Sequence, residues 1–459
     1  MLQAPKDLPQ LIRSFEAHAL AHPEDLSLMF KLGRLYLRNR NHPEACRAYR
    51  QILQHDADNL QARVELALCE AQQRHFDEAQ CLLEDALARE PASLAVLLAC
   101  SRVHEWQGHV EQQISFLLRA ANAAPRRHDI HLQLAELLRR YGDFSGAIAE
   151  YRRALELQAD LESARFALGV LLMKRGELNE ATDHFQQIVS RNPSAHDAYF
   201  NLGQCHAQRR QWQQAAIALQ AAARGLKDHF GLQMLLVQAW TNLGDLDRAM
   251  VILEQLAEKL PENEVVLLAL ADLYERCGEV DSAAETYSLL TRRYPEKPDY
   301  TVKWVQSLLR LNRHAEVPYI LQGLFQRHPG HIEGHRLLGE AFIGQKQYKS
   351  ARDEFAKTLM VNESYLPGLV GLIQVARLTD DAAEEYRLMQ RLIEHNPDDL
   401  DTLLRLGRLE RDLGLPANLE RFRRITNLAP DSVQAREAEY YLRHAQKERP
   451  RPAARATTR

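Results

Sequence analysis

The strongest constraint on the fold is an internal repeat with a constant period. When the chain is aligned at residues 26, 60, 94, 128, 162, 196, 230, 264, 298, 332, 366 and 400, every step is 34 and no insertion is needed. The seventh position is Leu in ten of these twelve units, the eighth is small in nine, the twentieth is Ala in eight and the thirty-second is Pro in seven. A fixed period of this length is typical of repeat proteins, in which each unit packs against its neighbours.

The positions within the repeat predict two helices per unit. Positions 4, 7, 8 and 11 have the i, i+3, i+4, i+7 spacing of one helix face, and positions 20, 24 and 27 lie on one face of a second helix. Small residues at positions 8 and 20 let the two helices approach closely. Glycine at position 15 ends the first helix where positive φ is needed, and proline at position 32 ends the second. The sequence therefore predicts an all-α protein.

This pattern resembles the tetratricopeptide-repeat family over residues 26–433. The unit at 162–195 carries it well, with Leu168, Gly169, Gly176, Ala181, Phe185 and Pro193. The resemblance implies a right-handed α-solenoid, or superhelix, of antiparallel helix pairs. We expect an N-terminal half-repeat or capping helix in residues 1–25, twelve repeats in 26–433, a C-terminal capping helix in 434–448 and a disordered basic tail in 449–459.

Composition excludes several functional classes. The chain has 58 basic and 62 acidic residues, so no nucleic-acid partner is expected. The longest apolar runs are seven residues, whereas a membrane span needs about 20, so no membrane insertion is expected. The N-terminal decapeptide has charges and prolines where a signal peptide needs an apolar stretch, which favours a cytoplasmic protein. Six cysteines without a CxxC motif favour reduced thiols in small apolar sites, with a disulfide as the less favoured alternative.

No motif for phosphate binding, metalloprotease or nucleophilic chemistry occurs, so we predict a protein that is not an enzyme and has no cofactor. The one cluster that resembles a metal site is His328, His331 and His335. His335 falls at position 4, which should point between helices, and the other two flank the boundary residue Pro329. A structural role is therefore favoured over metal binding, and no metal site is predicted.

By resemblance to the family, positions 2, 5, 9, 12 and 13 face a concave groove. In the units at 162–263 these positions are nearly uncharged, which suits an extended or helical peptide. We call these residues the middle groove: Phe166, Val170, Met173, Phe200, Gln204, Gln208, Met234, Gln238 and Asn242. A rival set, the basic groove, would select an acidic partner: Arg34, Arg38, Arg102, Trp106, Arg139 and Arg140. The alternative for the apolar position 5 is that it packs against the neighbouring helix.

The favoured function is a scaffold or adaptor that binds protein or peptide partners. The second hypothesis is an accessory subunit of a bacterial envelope, surface-polysaccharide or pilus assembly or export system, or of a glycosyltransferase complex. Glycosyltransferases with such repeats add a separate α/β domain, and the repeats here leave no residues to build one. The Lys–Asn set with which co-chaperones of the family hold a terminal carboxylate is absent from adjacent units.

Overall fold

The computed structural model describes residues 8–22, 24–415 and 418–445, and these residues contain helices and no strand. The chain divides into two compact units, Met1–Leu243 and Gly244–Arg459. The helices of the first unit are α1 (Leu8–Ala21), α2 (Leu26–Arg38), α3 (His42–His55), α4 (Leu60–Gln72), α5 (Phe76–Arg89), α6 (Leu94–Gln107), α7 (Val110–Ala123), α8 (His128–Tyr141), α9 (Phe144–Leu157), α10 (Glu162–Arg175), α11 (Leu178–Arg191), α12 (His196–Gln208), α13 (Trp212–Ala223) and α14 (Phe230–Leu243). The helices of the second unit are α15 (Leu246–Lys259), α16 (Glu264–Cys277), α17 (Val280–Arg293), α18 (Pro298–Arg310), α19 (Val317–Arg327), α20 (Ile332–Gly344), α21 (Tyr348–Val361), α22 (Leu366–Leu378), α23 (Ala382–His395), α24 (Leu400–Asp412), α25 (Asn418–Leu428) and α26 (Val433–Ala445).

The helices occur in tandem pairs, which confirms the predicted all-α solenoid. The first helices of the pairs begin at residue 26 and then at the period of the repeat, up to the one that begins at residue 400. The proposed division into a half-repeat, twelve repeats, a cap and a tail stays a prediction. Residues 1–7, Pro23 and the predicted tail at 449–459 lie outside the described residues.

Close packing within a pair depends on the small residues at positions 8 and 20. All eight alanines at position 20 are fully buried: Ala45, Ala79, Ala147, Ala181, Ala215, Ala249, Ala283 and Ala351. At position 8, a Cβ added to Gly169 would lie 2.8 Å from the ring of Phe185, and one added to Gly407 would lie 2.6 Å from the ring of Phe422. The glycines therefore make room for an aromatic ring at the core of the pair.

The turn within each pair has the same backbone conformation whether or not the sequence supplies glycine. Six glycines there have positive φ: Gly108, Gly142, Gly176, Gly244, Gly278 and Gly414. Six other residues at the same position of the repeat also have positive φ: Arg40, Arg74, Arg210, Asn312, Lys346 and Asp380. Position 15 thus has a left-handed conformation in every predicted repeat, including the four in which it is Arg or Lys, which rarely adopt this conformation.

Aspartates in short acidic segments cap two helices of the second unit. The Asp381 carboxylate accepts a hydrogen bond from the backbone N–H of Glu384 at 3.0 Å, and that of Asp399 accepts one from Thr402 at 2.9 Å. Each bond satisfies one of the unpaired N–H groups at a helix start.

Polar side chains at position 4 connect the helix pair to the turn before it. His335 lies 2.6 Å from a carboxylate oxygen of Glu354 through Nδ1 and 2.9 Å from the carbonyl of Pro329 through Nε2. His131 makes the equivalent contacts with Glu150 and the carbonyl of Pro125. Both ring nitrogens of each histidine are therefore engaged within the protein.

A second histidine of that sequence cluster, His331, caps α20, and the third, His328, follows α19. The Nδ1 of His331 accepts a hydrogen bond from the N–H of Gly334 at 3.0 Å. His331 and His335 thus have the structural roles that the sequence favours for them.

The prediction that the cysteines fill apolar sites holds for four of them and is wrong for two. Cys46, Cys69, Cys100 and Cys205 are buried free thiols, whereas Cys81 and Cys277 are exposed on second and first helices respectively. Cys81 and Cys277 therefore lie on the solvent-facing sides of their helices. Within the buried set, the sulfur atoms of Cys46 and Cys69 lie 2.9 Å apart between α3 and α4.

The end of the second unit is covered by α26. Its Ala435 and Ala438 are fully buried against Phe422 and Ile425 of α25. In the part of the chain that the structure describes, every helix falls short of the length and apolarity that crossing a membrane requires.

Candidate peptide-binding groove

The first helices of successive repeats lie side by side in the first unit. α10 contacts α12, and α12 contacts α14. Because these helices begin one repeat apart, Phe166, Phe200 and Met234 occupy equivalent positions along the row. All three side chains are half-buried. Each of the three is therefore partly packed within the protein and partly accessible to solvent.

A cavity of about 950 Å³ opens beside Phe166. Its apolar lining includes Phe166, Ala167 and Val170 from α10, and Lys174 lies at the end of the same helix. The ring of Phe166 meets that of Phe185 edge-on, with 5.8 Å between the ring centroids. Since Phe185 is fully buried, this contact fixes the floor of the cavity against the core of the repeat.

Phe200 is less available than its position in the repeat suggests. Its ring lies 4.6 Å from the ring of His229, centroid to centroid. His229 is itself fixed, because its Nδ1 accepts a hydrogen bond from the backbone N–H of Leu232 at 3.0 Å. The apolar surface that a partner could cover is therefore concentrated at Phe166 and Val170.

The amide side chains of the middle groove are mostly free to bind. Gln204 is half-buried, while Gln208 and Gln238 are exposed, and none of the three side chains has a hydrogen-bond partner among the described residues. Asn242 is different, because its amide donates to the backbone carbonyl of Gln238 at 2.7 Å. Met173, the remaining member of the set, is half-buried.

The basic groove is partly neutralised where it meets the middle groove. Arg139 donates to a carboxylate oxygen of Glu136 at 2.8 Å, and the hydroxyl of Tyr151 donates to the other oxygen at 2.6 Å. Burial opposes ionisation of Glu136, but the hydrogen bonds from Tyr151 and Arg139 outweigh it and lower the pKa of this carboxyl group. Glu136 and Arg139 line the same cavity as Phe166.

The remaining basic residues are more available. Arg102 and Arg140 line a second cavity of about 440 Å³, which also includes Glu105 and Glu136. Arg34 and Arg38 on α2 are exposed, and Trp106 is exposed near the end of α6. No ion pair joins Arg34, Arg38, Arg102 or Arg140 to any residue that the structure describes. The structure thus brings Arg139 to the middle groove, whereas Arg34 and Arg38 lie three repeats earlier in the chain.

One cluster that the sequence does not suggest contains possible metal ligands. Glu70, His75 and Glu78 each place one ligand atom within 4.8 Å of the others. The Arg50 guanidinium already lies 2.6 Å from Glu70 and 3.5 Å from Glu78. Because Arg50 neutralises the buried carboxylate of Glu70, the cluster is explained as an ion-pair network between α3, α4 and α5.

Tandem antiparallel helix pairs that recur at a constant period define the class of helical-repeat proteins. Models described as tetratricopeptide repeat match residues 30–95, 166–229 and 241–301, and one described as TPR repeat matches 135–176. These matches identify tetratricopeptide repeats in the segments of the chain that they cover. Such repeats imply a scaffold for protein–protein interaction.

Among curated proteins, the chain is 26% identical over 166 residues to cellulose synthase operon protein C of Pseudomonas fluorescens (strain SBW25), covering 34% of this chain and 13% of that protein. It is 27% identical over 90 residues to human DnaJ homolog subfamily C member 3, covering 20% of this chain and 18% of that one. The chain therefore spans less than a fifth of each of these relatives.

Two solved structures are similar to this chain in part. A chain in the structure of Naa15/Naa10 bound to HypK-THB is 17% identical with a TM-score of 0.49, and the match covers 92% of this chain and 67% of that one. YrrB, a TPR protein with an unusual peptide-binding site, is 21% identical with a TM-score of 0.36, and the match covers 42% of this chain and 98% of that one.

Proposed function

We propose that this chain is a non-catalytic scaffold that binds a segment of a partner protein along α10, α12 and α14. The observation that carries the proposal is the cavity of about 950 Å³ beside Phe166 and Val170. Its volume is in the range of pockets that bury most of a ligand, about 300–1,000 Å³. Its lining reaches the start of α12 at Asp197 and Ala198.

The chemistry of this surface suits a peptide. A partner's apolar side chain that covers Phe166 removes apolar surface from water, which stabilises the complex by about 25 cal/mol per Å² before the costs of association. The amides of Gln204 and Gln238 have no partner among the described residues, so they can donate to and accept from the backbone of an extended segment.

The test is capture of the partner with variants of the full chain. Phe166→Glu places a charge on the floor of the cavity and is expected to abolish capture of the proteins that the wild type enriches. Ile217→Glu is the matched control, because Ile217 is an exposed apolar residue on a second helix, 59% accessible to solvent. Circular dichroism should give the same helical signal for both variants.

A second test uses a peptide from a captured protein. A peptide derived from the captured partner should bind the wild type and the Ile217→Glu variant equally, and should fail to bind Phe166→Glu. Equal capture by Phe166→Glu and the wild type would show that the middle groove is not the binding site.

The basic groove is the rival site and makes an opposite prediction. Charge reversal of Arg139 and Arg140 together is expected to reduce binding only modestly if the apolar cavity dominates. If the basic groove dominates, the same double reversal abolishes binding. Added salt should then weaken binding strongly, because the attraction between exposed charges decays over a distance of about 10 Å at 0.1 M salt and over a shorter distance at higher salt.

The second candidate function is an accessory subunit of a bacterial envelope, surface-polysaccharide or pilus assembly system, or of a glycosyltransferase complex. The similarity to cellulose synthase operon protein C favours it over other assemblies. The test is affinity purification from detergent-solubilised cells together with fractionation of the untagged protein. Recovery with envelope synthesis or export proteins would support this function, whereas a purely cytoplasmic distribution with other partners would favour a cytoplasmic scaffold.

A further inference from the structure

Three repeats carry tyrosine at position 24, and all three side chains are fully buried: Tyr49, Tyr151 and Tyr287. In two of them, the hydroxyl donates to an acidic side chain at position 9 of the same repeat. The hydroxyl of Tyr151 lies 2.6 Å from a carboxylate oxygen of Glu136, and that of Tyr287 lies 2.8 Å from one of Asp272. A buried tyrosine at position 24 therefore directs its hydroxyl toward position 9, on the groove side of the first helix.

The first repeat breaks this pairing. Its position 9 is Arg34, which cannot accept a hydrogen bond. The hydroxyl of Tyr49 is buried and has no hydrogen-bond partner within the described residues. Unpaired buried donors are rare in folded proteins, because such a group has lost its water and gained nothing in exchange.

The surroundings of this hydroxyl are cationic and partly apolar. Arg34 is exposed and forms no ion pair with any residue the structure describes, and Arg38 follows one turn later on α2. Phe30 lies on the same helix, and its ring meets that of Tyr49 edge-on with 5.5 Å between centroids. Burial raises the pKa of Tyr49, and the nearby Glu65 raises it further, while Arg34 lowers it. Glu65 makes no hydrogen bond to the hydroxyl.

We propose that the Tyr49 hydroxyl and the Arg34 guanidinium bind a carboxylate of an acidic segment of a partner protein. The incoming carboxylate takes the place that Glu136 and Asp272 fill in their own repeats. It accepts a hydrogen bond from Tyr49 and pairs with Arg34, while Phe30 contacts the apolar part of the ligand side chain. We call Tyr49 and Arg34 together the carboxylate anchor.

The anchor lies on α2 and α3, away from the residues of α10, α12 and α14 to which the proposed function is assigned. It shares with that proposal only the use of the concave face. The Phe166→Glu variant is therefore expected to keep the carboxylate anchor intact, so failure of one proposal is distinguishable from failure of the other.

The test uses a fluorescein-labelled, C-terminally amidated peptide that contains three glutamates, and a second peptide in which glutamines replace them. Fluorescence anisotropy should show binding of the glutamate peptide and at least tenfold weaker binding of the glutamine peptide. Tyr49→Phe should weaken binding of the glutamate peptide about tenfold, because a hydrogen bond to a charged group is lost. Tyr287→Phe is the matched control and should leave the affinity unchanged, because Asp272 already occupies its hydroxyl.

A second variant tests the same idea without a ligand. Arg34→Glu supplies the internal acceptor that the other two repeats have. It is expected to raise the urea midpoint of the first repeats and to abolish binding of the glutamate peptide. In a Tyr49→Phe background, the gain in stability from Arg34→Glu should disappear.

Several results would overturn the carboxylate anchor. Equal binding of the two peptides, or unchanged affinity in Tyr49→Phe, would show that no carboxylate is held there. Tighter binding of a peptide with phosphoserine in place of glutamate would assign the site to phosphate. A loss of stability in Glu65→Gln that depends on the Tyr49 hydroxyl would show that Glu65 already accepts its hydrogen bond.

Discussion

Replacement of Arg405 by Ala is expected to destabilise its repeat far more than replacement of the glutamate with which it pairs. Glu385 on α23 stands at position 20, where eight repeats have a buried alanine, and its side chain is 2% accessible to solvent. Arg405 holds both carboxylate oxygens, at 2.6 and 2.8 Å, and Arg377 lies 3.1 Å from one of them. The two arginines are partly exposed, with 33% and 54% of their side-chain surface accessible.

The two variants differ in the charge that is left without a partner: a buried carboxylate in Arg405→Ala, and partly exposed guanidinium groups in Glu385→Ala. Removing one partner of a buried ion pair costs about 3–5 kcal/mol, because the other charge stays buried. Arg377 remains in Arg405→Ala, so we expect about 3 kcal/mol, at the lower end of that range. In Glu385→Ala, both arginines can turn toward water and the alanine of other repeats is restored, so we expect about 1 kcal/mol or less.

Hydrogen exchange measured by mass spectrometry can resolve this effect, since each repeat packs mainly on its neighbours. A loss of about 3 kcal/mol lowers protection factors in α22 to α24 roughly 100-fold. Arg387→Ala is the control, because Arg387 is an exposed arginine on the same helix as Glu385. The double variant with both Glu385 and Arg405 replaced by Ala should recover most of the protection. If the double variant is as unstable as Arg405→Ala, the loss comes from the packing of Arg405 and the argument from a buried charge is wrong.

The same ion pair predicts a direction of pH dependence. Burial opposes ionisation of Glu385, but its hydrogen bonds from Arg405 and Arg377 outweigh burial and lower its pKa. A carboxyl group with a lowered pKa stabilises the fold fully above its unfolded pKa of about 4.3, and this contribution is lost as the pH falls through the folded value. The hydrogen-exchange protection of α23 should therefore decrease in the wild type when the pH is lowered below about 4. The decrease should be less steep in Glu385→Ala.

Three further predictions concern the repeat itself. Gly169→Ala should destabilise by about 1–3 kcal/mol in urea titrations, because the new Cβ meets the buried ring of Phe185. Arg210→Gly should stabilise by about 1 kcal/mol, since glycine adopts the positive φ of 58° at this position without strain. With Ellman's reagent, the native protein should show fast reaction of Cys81 and slow reaction of Cys205, because Cys205 is buried and desolvation raises the pKa of its thiol to about 11; equal rates for the two would contradict the burial.

The helix pairs were predictable because a few residues have the same task in every repeat. Leucine at position 7 and alanine at position 20 are dictated by contact between two helices, and this requirement is local and periodic. The left-handed residue at position 15 was predictable only where glycine marks it. At Arg74 and Lys346 the same conformation occurs without a sequence signal.

The candidate sites were predictable only as a set of positions that face the groove. The sequence places Phe166 and Phe200 in equivalent positions, and the proposal that they bind a partner remains to be tested. That His229 packs on Phe200 depends on the turn before α14, where the spacing of the repeat carries no information about side-chain contacts. The pairing of position 9 with position 24 could have been found from Tyr151 and Glu136, because an acid and a tyrosine with the same spacing recur in the repeat that begins at residue 264.

Some positions of the repeat maintain the packing of the helix pairs, and others can differ between repeats without disturbing that packing. The first helices recur at one period whether position 15 is glycine or arginine and whether position 20 is alanine or glutamate. The packing therefore tolerates changes at such positions by local compensation, as Arg405 compensates Glu385.

Packing of the helix pair does not fix the residue at position 9. The repeat at 128 has Glu136 there, whereas the repeat at 26 has Arg34, and the hydroxyl of Tyr49 is left without a partner among the described residues. For the Tyr49 hydroxyl, whose counterparts Tyr151 and Tyr287 both have an acidic partner in their own repeat, the partner that we propose is a carboxylate of another protein.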